Sequence, residues 1–327
     1  MTRGFLLGKF MPPHAGHQLL CETARALVDE LTILVCWLPD DPVPGPLRLE
    51  WMRELNPECR VIGHDAVVPQ TPDEHPDFWA IWRAIGRAAH PEPIDLVFAS
   101  EPYGVRLAAE LGARFHPIDP ARDAMPISAT AIRVNPWRHW RYLPAPVRGH
   151  YAQTICLHGP ESVGKTVLAR QLADHFDTPL VPEYGRTWCE LFGTDLTDAD
   201  LIAIAATHDA MTKSLSRRCN RRLILDTDPL MTAVWSDMLL GGRDPWFDRW
   251  GDVADLYLLL DLDLPWVDDG TRIFGSARDR ERFFDLCRRE LDRRGVPWVL
   301  VGGIGSERFD NALAAIEAAT PDFRNAQ

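Results

Sequence analysis

The chain has 327 residues and a formal net charge of −12 at pH 7, from 35 basic and 47 acidic side chains. This length is sufficient for two domains that each bury a hydrophobic core. The acidic balance argues against a dedicated nucleic-acid-binding surface, because such surfaces usually carry a basic excess.

The cysteines and the N-terminal segment favour a cytoplasmic protein. The seven cysteines are odd in number and none stands in a C-x-x-C pair, so neither a disulfide framework nor a zinc site is expected. Residues 1–30 lack the basic and then apolar pattern of a signal peptide. No apolar run approaches the roughly 18 residues of a membrane span, so we expect no membrane partner.

The first half of the chain alternates short apolar runs with helical patterns, which predicts a parallel sheet built from β–α–β units. The predicted strands are residues 5–7, 31–37, 95–99 and 114–118, and the predicted helices are residues 19–28, 48–55, 78–89 and 105–111. The proline-rich stretches 40–47 and 69–77 are predicted as loops.

The second half repeats this alternation after residues 136–150, which we interpret as a short helix followed by a linker. The predicted strands are residues 154–158, 180–181, 223–225, 256–260 and 298–301, and the predicted helices are residues 165–175, 198–217, 230–239, 278–294 and 308–320. The predicted organisation is therefore an α/β domain at 1–135, a linker at 136–151 and a second α/β domain at 152–327, both with parallel sheets.

The strongest pattern in the chain is G-x-F-x-P-x-H-x-G-H at residues 8–17. His14 and His17 lie three residues apart where a helix begins, so both imidazoles can converge on one phosphate. There they would stabilise charge that develops at the α-phosphorus, and positioning without a covalent intermediate would suffice. Gly16 is expected to permit close approach by the substrate.

A second string of the first half, I-S-A-T-A-I-R at residues 127–133, predicts phosphate contacts at another helix start. The hydroxyls of Ser128 and Thr130 and the guanidinium of Arg133 would bind triphosphate oxygens. Taken alone, the same string would indicate only a capped helix.

The second half carries G-x-x-x-x-G-K-T at residues 159–166, between an apolar run and a helical pattern. This context is typical of a phosphate-binding loop, whose backbone N–H groups point at phosphate oxygens. Lys165 is expected to bridge the β- and γ-phosphates of ATP, and the Thr166 hydroxyl to bind Mg²⁺. The other predicted ATP-binding residues of this loop are Gly159, Glu161, Ser162 and Gly164.

Carboxylates follow two apolar strands of the second half. Asp226, after residues 223–225, can hold Mg²⁺ through water, whereas the alternative for it and for Asp228 is capping of the next helix. Glu183, after residues 180–181, could accept a proton from an attacking hydroxyl, and its alternative is a surface ion pair with Arg186.

Residues 268–276 form a polar segment that contains glycine and resembles a lid which brings arginine onto transferring phosphates. Arg272 is the candidate for this role. Arg278 and Arg280 are interpreted as charges on a helix face.

The motifs together resemble a known family. The strings at 8–17 and 127–133 are similar to H-x-G-H nucleotidyltransferases, in particular nicotinamide-nucleotide adenylyltransferases, and those at 159–166, 183–186, 226–228 and 266–272 are similar to ribosylnicotinamide kinase. This order is that of the bifunctional NadR-type family, and the resemblance covers nearly the whole chain. It implies a Rossmann-like nucleotidyltransferase domain followed by a P-loop kinase domain.

The resemblance implies two reactions. Nicotinamide riboside and ATP would give nicotinamide mononucleotide (NMN) and ADP, and NMN and a second ATP would give NAD and pyrophosphate. His14, His17 and Arg133 are then assigned to adenylyl transfer, and Lys165, Glu183 and Asp226 to phosphorylation. The remaining assignments are ATP binding by Gly8, Lys9 and Phe10, and substrate binding by Trp79, Tyr184, Arg186 and Asp228. The expected cofactor is Mg²⁺ and the partners are small molecules, with a homo-oligomer compatible with the sequence.

Two departures and two alternatives accompany this interpretation. Some relatives begin with a DNA-binding helix-turn-helix, whereas this chain starts a few residues before its first motif, so we expect no repressor role. Pro182 stands where an aromatic residue is expected, and Tyr184, Trp188 or Trp235 could stack on nicotinamide in its place.

The alternatives are a fusion resembling coenzyme A synthase and a non-catalytic nucleotide sensor. The strings at 127–133 and 266–272 favour the pair of nicotinamide reactions over the coenzyme A fusion.

Overall fold

A computed structural model describes residues 1–267 and 273–321 of the chain. The chain divides into two compact units between Val147 and Arg148. Each unit contains a five-stranded sheet, and every strand pairing within these sheets is parallel. The predicted α/β class with parallel sheets is therefore confirmed. Among the described residues, no helix combines the length and apolar character needed to cross a membrane.

The first unit has the strand order β3-β2-β1-β4-β5. Its strands are β1 (Arg3–Gly8), β2 (Glu30–Cys36), β3 (Arg60–His64), β4 (Leu96–Ala99) and β5 (Arg114–Pro117). Its helices are α1 (Ala15–Ala26), α2 (Gly45–Leu55), α3 (Phe78–Ala89), α4 (Tyr103–Leu111) and α5 (Ala129–Val134), and α6 (Ala145–Tyr151) contains the division between the units.

Strand β2 shows why this sheet is covered on both faces. Successive side chains of a strand point to opposite faces. Ile33 and Val35 pack into one core cluster with residues of α1 and α2, and Leu34 and Cys36 pack into a second cluster with residues of α3 and α4. The unit is therefore a sheet between two helical layers, as a nearly continuous apolar strand requires.

The second unit has the strand order β10-β9-β6-β8-β7. Its strands are β6 (Gln153–His158), β7 (Leu180–Val181), β8 (Arg222–Leu225), β9 (Leu256–Leu260) and β10 (Trp298–Val301). Its further helices are α7 (Lys165–His175), α8 (Tyr184–Phe192), α9 (Asp198–Ser216), α10 (Pro229–Leu240), α11 (Pro245–Arg249), α12 (Ala277–Arg294) and α13 (Ser306–Ala318).

The central strand of each sheet leads directly into a motif. Strand β1 lies between β2 and β4, and strand β6 lies between β8 and β9. Open parallel sheets bind ligands in the crevice outside the carboxyl ends of such strands, where neighbouring connections run to opposite sides. Both motifs therefore lie where this topology creates a crevice.

Some local predictions were wrong. Strand β3 was missed because only one of its residues, Val61, is buried, and helix α8, none of whose residues is buried, was also missed. Residues 136–150, predicted as a short helix followed by a linker, hold a 3₁₀ turn at Trp140–Tyr142 and then α6. Helix α2 begins inside the stretch predicted as a loop, since Pro46 is compatible with the first turn of a helix.

Candidate active sites

The first unit contains a cavity of about 540 Å³ at the carboxyl end of β1. The structure brings to it every site residue that the sequence assigned to the first half. These lining residues are Gly8, Lys9, Phe10, His14, His17, Trp79, Ser128, Thr130 and Arg133. Residues from the two ends of the unit, separated by more than a hundred positions, therefore share one cavity.

His14 is the N-cap of α1. Its Nδ1 accepts hydrogen bonds from the backbone N–H of Gly16 at 3.1 Å and of His17 at 3.4 Å. Because Nδ1 is an acceptor, the ring is neutral and its proton lies on Nε2. Burial, followed by the nearby charge of Arg122, lowers the pKa of His14 to about 4. At neutral pH the ring is therefore an N–H donor without a charge of its own.

His17 stacks on His14 with ring centroids 3.8 Å apart and meets the edge of Phe10 at 5.0 Å. Burial, followed by the proximity of His14 and Arg122, holds the pKa of His17 well below its usual range. Its buried Nδ1 has no hydrogen-bond partner within the described part of the chain. The two imidazoles thus form a neutral, packed pair in the cavity wall.

Gly16 serves the histidines in a way that the sequence did not indicate. A Cβ atom at this position would lie 3.0 Å from Cε1 and 3.1 Å from Nδ1 of His14. An added methyl group would therefore force the His14 ring or the start of α1 to shift by a few tenths of an ångström. Gly16 also lines the cavity, and the close approach of the substrate at this residue stays a prediction.

A buried ion pair supports the backbone of the first motif. The Arg48 side chain, which has no exposed surface, donates to the Lys9 carbonyl and to Asp41 Oδ2, both at 2.7 Å. Lys9 Nζ lies 3.2 Å from Asp41 Oδ1. Burial opposes ionisation of Asp41, but hydrogen bonds from Leu38 N–H, Arg48 and Lys9 hold its pKa below the ordinary value. Asp41 and Arg48 were missed as site residues because their role depends on tertiary contacts.

Two arginines reach this cavity from the C-terminal part of the unit. Arg133 donates to the Met11 carbonyl at 2.5 Å and to Thr130 Oγ1 at 3.2 Å, which ties α5 to the first motif. Arg122 also lines the cavity, and its backbone has a positive φ of 56°. No motif in the sequence marked Arg122. Ser128 caps α5 by accepting from Ala131 N–H at 3.2 Å, so the capped-helix interpretation of that string also applies.

The second unit contains a cavity of about 160 Å³ beside the loop after β6. It is lined by most of the phosphate-loop residues, by Glu183 and Arg186 at the start of α8, and by apolar residues of α9 and α10. The lining includes Glu161, Ser162, Gly164, Lys165, Thr166, Glu183, Arg186, Trp235 and Ile273. Trp235 alone of the three candidate stacking residues belongs to this lining; Tyr184 and Trp188 do not.

The phosphate loop folds tightly on itself. Gly159, Ser162 and Gly164 have positive φ values of 134°, 62° and 85°. Lys165 Nζ donates to the carbonyls of Gly159 at 2.9 Å and Pro160 at 2.7 Å. These two carbonyls use two of the three N–H donors of the ammonium group, so a phosphate oxygen can accept the third.

Asp226 and Thr166 have the chemistry of a magnesium site. Asp226 is 1% exposed, a hydrogen bond joins its carboxylate to Thr166, and its Oδ1 has no hydrogen-bond partner among the described residues. Burial, followed by the charge of Glu183, raises the pKa of Asp226 to about 6. Mg²⁺ bound to nucleotides usually takes one or two protein oxygens together with phosphates and water. Thr166 and Asp226 supply two such oxygens. Among the described residues there is no cluster of three His, Cys, Asp or Glu side chains that could hold a metal.

Glu183 and Asp228 each had two alternative interpretations from the sequence, and the structure shows their contacts. The Arg186 guanidinium lies 3.5 Å from Glu183 Oε2, so the expected ion pair is present, and both residues line the cavity. Asp228 Oδ1 instead accepts from the N–H groups of Leu230 and Met231, and Oδ2 accepts from the Tyr257 hydroxyl at 2.5 Å. Asp228 thus caps α10 and is absent from the cavity lining, which favours the capping role over substrate binding.

Three residues with sequence assignments, Arg272, Glu161 and Arg280, lie in or contact the segment around residue 270. Arg272 lies outside the described residues. Glu161 lies in the phosphate loop, but its carboxylate accepts hydrogen bonds from Trp266, Ile273 and Phe274. Arg280 donates to the Leu264 carbonyl at 2.7 Å.

Comparison with known proteins gives consistent matches. The family model described as an AAA domain matches residues 154–308. The trifunctional NAD biosynthesis/regulator protein NadR of Escherichia coli K12 is 31% identical over 322 residues, which cover 92% of this chain and 78% of that protein. The nicotinamide-nucleotide adenylyltransferase of Methanoculleus marisnigri is 30% identical over 144 residues, which cover 42% of this chain and 84% of that enzyme. A crystal structure of a NadR protein in complex with NR superposes with a TM-score of 0.78 at 23% identity, over 98% of this chain and 96% of that chain.

Proposed function

The chain belongs to the NadR family, and from this premise we propose that it is a bifunctional enzyme of NAD salvage. The second unit would phosphorylate nicotinamide riboside to NMN, and the first unit would adenylylate NMN to NAD. The observation that carries this proposal is that each motif lines its own cavity at the carboxyl end of a central strand. The names of the relatives, a NAD biosynthesis protein and a nicotinamide-nucleotide adenylyltransferase, support the same pair of reactions.

In the first cavity, a phosphate oxygen of NMN attacks the α-phosphorus of ATP and pyrophosphate leaves. Negative charge develops on the oxygens around that phosphorus, and N–H donors held in place stabilise it. The neutral imidazoles of His14 and His17 supply such donors, while Lys9 and Arg133 supply positive charge. No proton has to be removed from the attacking phosphate, because it is already ionised at pH 7.

In the second cavity, the 5′-hydroxyl of the riboside attacks the γ-phosphorus of ATP and ADP leaves. Lys165 would hold the phosphates, and Glu183 would accept the proton of the attacking hydroxyl. Thr166 and Asp226 would hold Mg²⁺, whose charge offsets that of the triphosphate. The Arg186 guanidinium, 3.5 Å from Glu183 Oε2, would orient that carboxylate.

The expected cellular setting follows from the substrates. ATP and NMN are intracellular metabolites, and all seven cysteines of the chain are free thiols, as in reducing compartments. We therefore infer that the protein acts in the cytoplasm on small molecules.

Two complementary variants test the proposal. Lys165→Ala should reduce formation of NMN from nicotinamide riboside by about 100-fold or more while leaving formation of NAD from supplied NMN intact. His17→Ala should reduce formation of NAD from NMN by about 100-fold and leave NMN formation intact. Both products are followed by chromatography with ATP and Mg²⁺ present.

The wild-type protein supplies the controls for this experiment. Incubation with ATP and phosphopantetheine tests the coenzyme A alternative, and turnover of phosphopantetheine alone would refute the proposal. If each variant retained both activities, the assignment of one reaction to each cavity would be wrong.

A further inference from the structure

Glu161 occupies an unexpected position for a residue of a phosphate-binding loop. It is 7% exposed, and its Oε1 accepts from Trp266 Nε1 at 3.0 Å, from Ile273 N–H at 3.1 Å and from Phe274 N–H at 2.6 Å. Among the described residues, its Oε2 accepts a contact from Ile273 N–H at 3.2 Å. One carboxylate oxygen therefore holds three donors that lie far from it in the sequence.

The donors held by Glu161 connect it to the lining of the second cavity. Ile273 lines that cavity, and Phe274 packs on Trp235 with ring centroids 5.9 Å apart. Trp235 also lines the cavity and packs on Phe283 at 4.8 Å. Glu161 therefore connects the phosphate loop, which would bind ATP, to an aromatic wall of the second cavity, which would bind the phosphate acceptor.

Electrostatics oppose the simpler role of Glu161 as an ATP ligand. A carboxylate and a triphosphate are both anionic and acceptor-only, so they repel each other unless a donor or a metal lies between them. Three N–H donors already satisfy the Glu161 carboxylate, as a buried charge requires. The negative charge is thus used within the protein.

We propose that Glu161 is a positioning residue that sets the nucleoside-binding wall of the kinase cavity from within the phosphate loop. This inference rests on the proposed kinase activity of the second unit. Glu161 fixes the backbone at Ile273 and Phe274, and Phe274 in turn holds Trp235. The fit of the nucleoside then depends on a residue that the motif places on the ATP side.

The glutamine variant separates hydrogen bonding from charge. Glu161→Gln keeps an Oε1 that can accept from the same three donors and loses only the charge and the weakly used Oε2. Glu161→Ala removes the acceptor altogether. We expect the Ala variant to lower kcat/KM for nicotinamide riboside by about 10- to 100-fold, mainly through KM, and the Gln variant to stay within about threefold of wild type.

Steady-state kinetics for each substrate provide the measurement. The KM for ATP should change by less than about threefold in both variants, and NAD formation from NMN should be unaffected. Glu281→Ala, which removes an exposed glutamate of α12, is the matched control. Trp266→Phe removes one of the three donors while keeping an aromatic ring, and should give an intermediate loss of about three- to fivefold even if the Ala variant does not fold.

Several outcomes would overturn the inference. Equal losses in the Gln and Ala variants would show that charge is responsible, and a change confined to the KM for ATP would make Glu161 an ATP ligand. Unchanged riboside kinetics in Glu161→Ala or in Trp266→Phe would remove the positioning role. By contrast, a wild-type protein that formed no NMN from nicotinamide riboside and ATP would refute the proposed kinase function itself, so the two failures are distinguishable.

Discussion

The two cavities differ in how the chain assembles them. The first gathers side chains from segments far apart in sequence, such as the contact of Arg133 with the Met11 carbonyl, which spans 122 positions. The second also joins distant segments, such as Ile273 and Glu161, but its phosphate loop folds on itself, since Lys165 contacts carbonyls only five and six residues away. We call the phosphate loop at residues 159–166 the lysine loop and the first cavity the histidine pocket. The lysine loop is specified by its local sequence, whereas the histidine pocket forms only when the whole first unit is folded.

The largest effect is expected from a change to Asp226, which would hold Mg²⁺ together with Thr166 in the second cavity. Asp226→Asn keeps the shape of the side chain and removes its charge. If Asp226 and Thr166 hold Mg²⁺, the kcat for NMN formation should fall by about 100-fold or more, because a neutral amide binds this cation poorly. The rate is measured at saturating riboside and ATP over a series of Mg²⁺ concentrations.

The other reaction and the stability of the variant serve as controls. NAD formation from NMN should remain unchanged in Asp226→Asn. The melting temperature at pH 7 should not fall, because the substitution replaces a buried charge whose ionisation burial disfavours. A decrease in NMN formation of less than threefold would contradict the metal assignment.

The same contrast explains what could be predicted from the sequence. Strands β9 and β10 and helices α3 and α7 were predicted to the residue, because each has a clear apolar pattern that ends sharply. The lysine loop was equally visible, since its motif and its context are contiguous. Helix α8 was missed although Tyr184, Trp188 and Phe192 recur at helical spacing and their rings pack against one another.

The supporting groups of the histidine pocket were less predictable for a physical reason. Asp41 and Arg48 act through an ion pair that exists only once the loop before α2 has packed against the first motif. Arg122 lies in a turn between β5 and α5, and its sequence neighbours carry no recognisable spacing. The contact of Gly16 with His14 was not predicted because the sequence cannot show which ring occupies the adjacent space.

A smaller effect is expected from a change that crowds the histidine pair. Gly16→Ala would place a Cβ 3.0 Å from Cε1 of His14, so the ring or the start of α1 must shift by a few tenths of an ångström. Because catalysis by positioned donors is sensitive to such shifts, NAD formation should fall by roughly 10-fold while NMN formation persists. Initial rates of both reactions provide the measurement.

The matched control for this crowding is Gly251→Ala, where an added Cβ meets no atom within 4 Å. It should leave both rates within about twofold of wild type, as is usual for surface substitutions. Wild-type NAD formation in Gly16→Ala would show that the pocket tolerates displacement of His14.

The smallest expected effect concerns the charge of Arg122. Burial is the main cause of the lowered pKa of His14, and Arg122 adds to it, so Arg122→Gln should raise that pKa from about 4 without bringing it to the usual 6.5. The stability contribution of neutral His14 is complete above pH 6.5 and is lost as the pH falls towards about 4. The variant should therefore lose less stability on acidification than the wild type, as measured by the titration of histidine NMR resonances and by thermal unfolding at pH 7 and pH 5.

Activity then distinguishes the two roles that Arg122 could have. Both histidines are neutral at pH 7 in either protein, so a loss of NAD formation at that pH cannot result from their protonation. We expect kcat/KM for NMN to fall by about three- to tenfold, with the same ratio from pH 6.5 to pH 8, because a cation facing phosphate has been removed. A ratio that changed with pH across this range would mean that Arg122 acts through protonation of the histidines. If instead the His14 midpoint did not move, Arg122 would act on the pocket only through its fold. In that case the turn between β5 and α5 would be one more distant segment that shapes the histidine pocket without contacting its substrate.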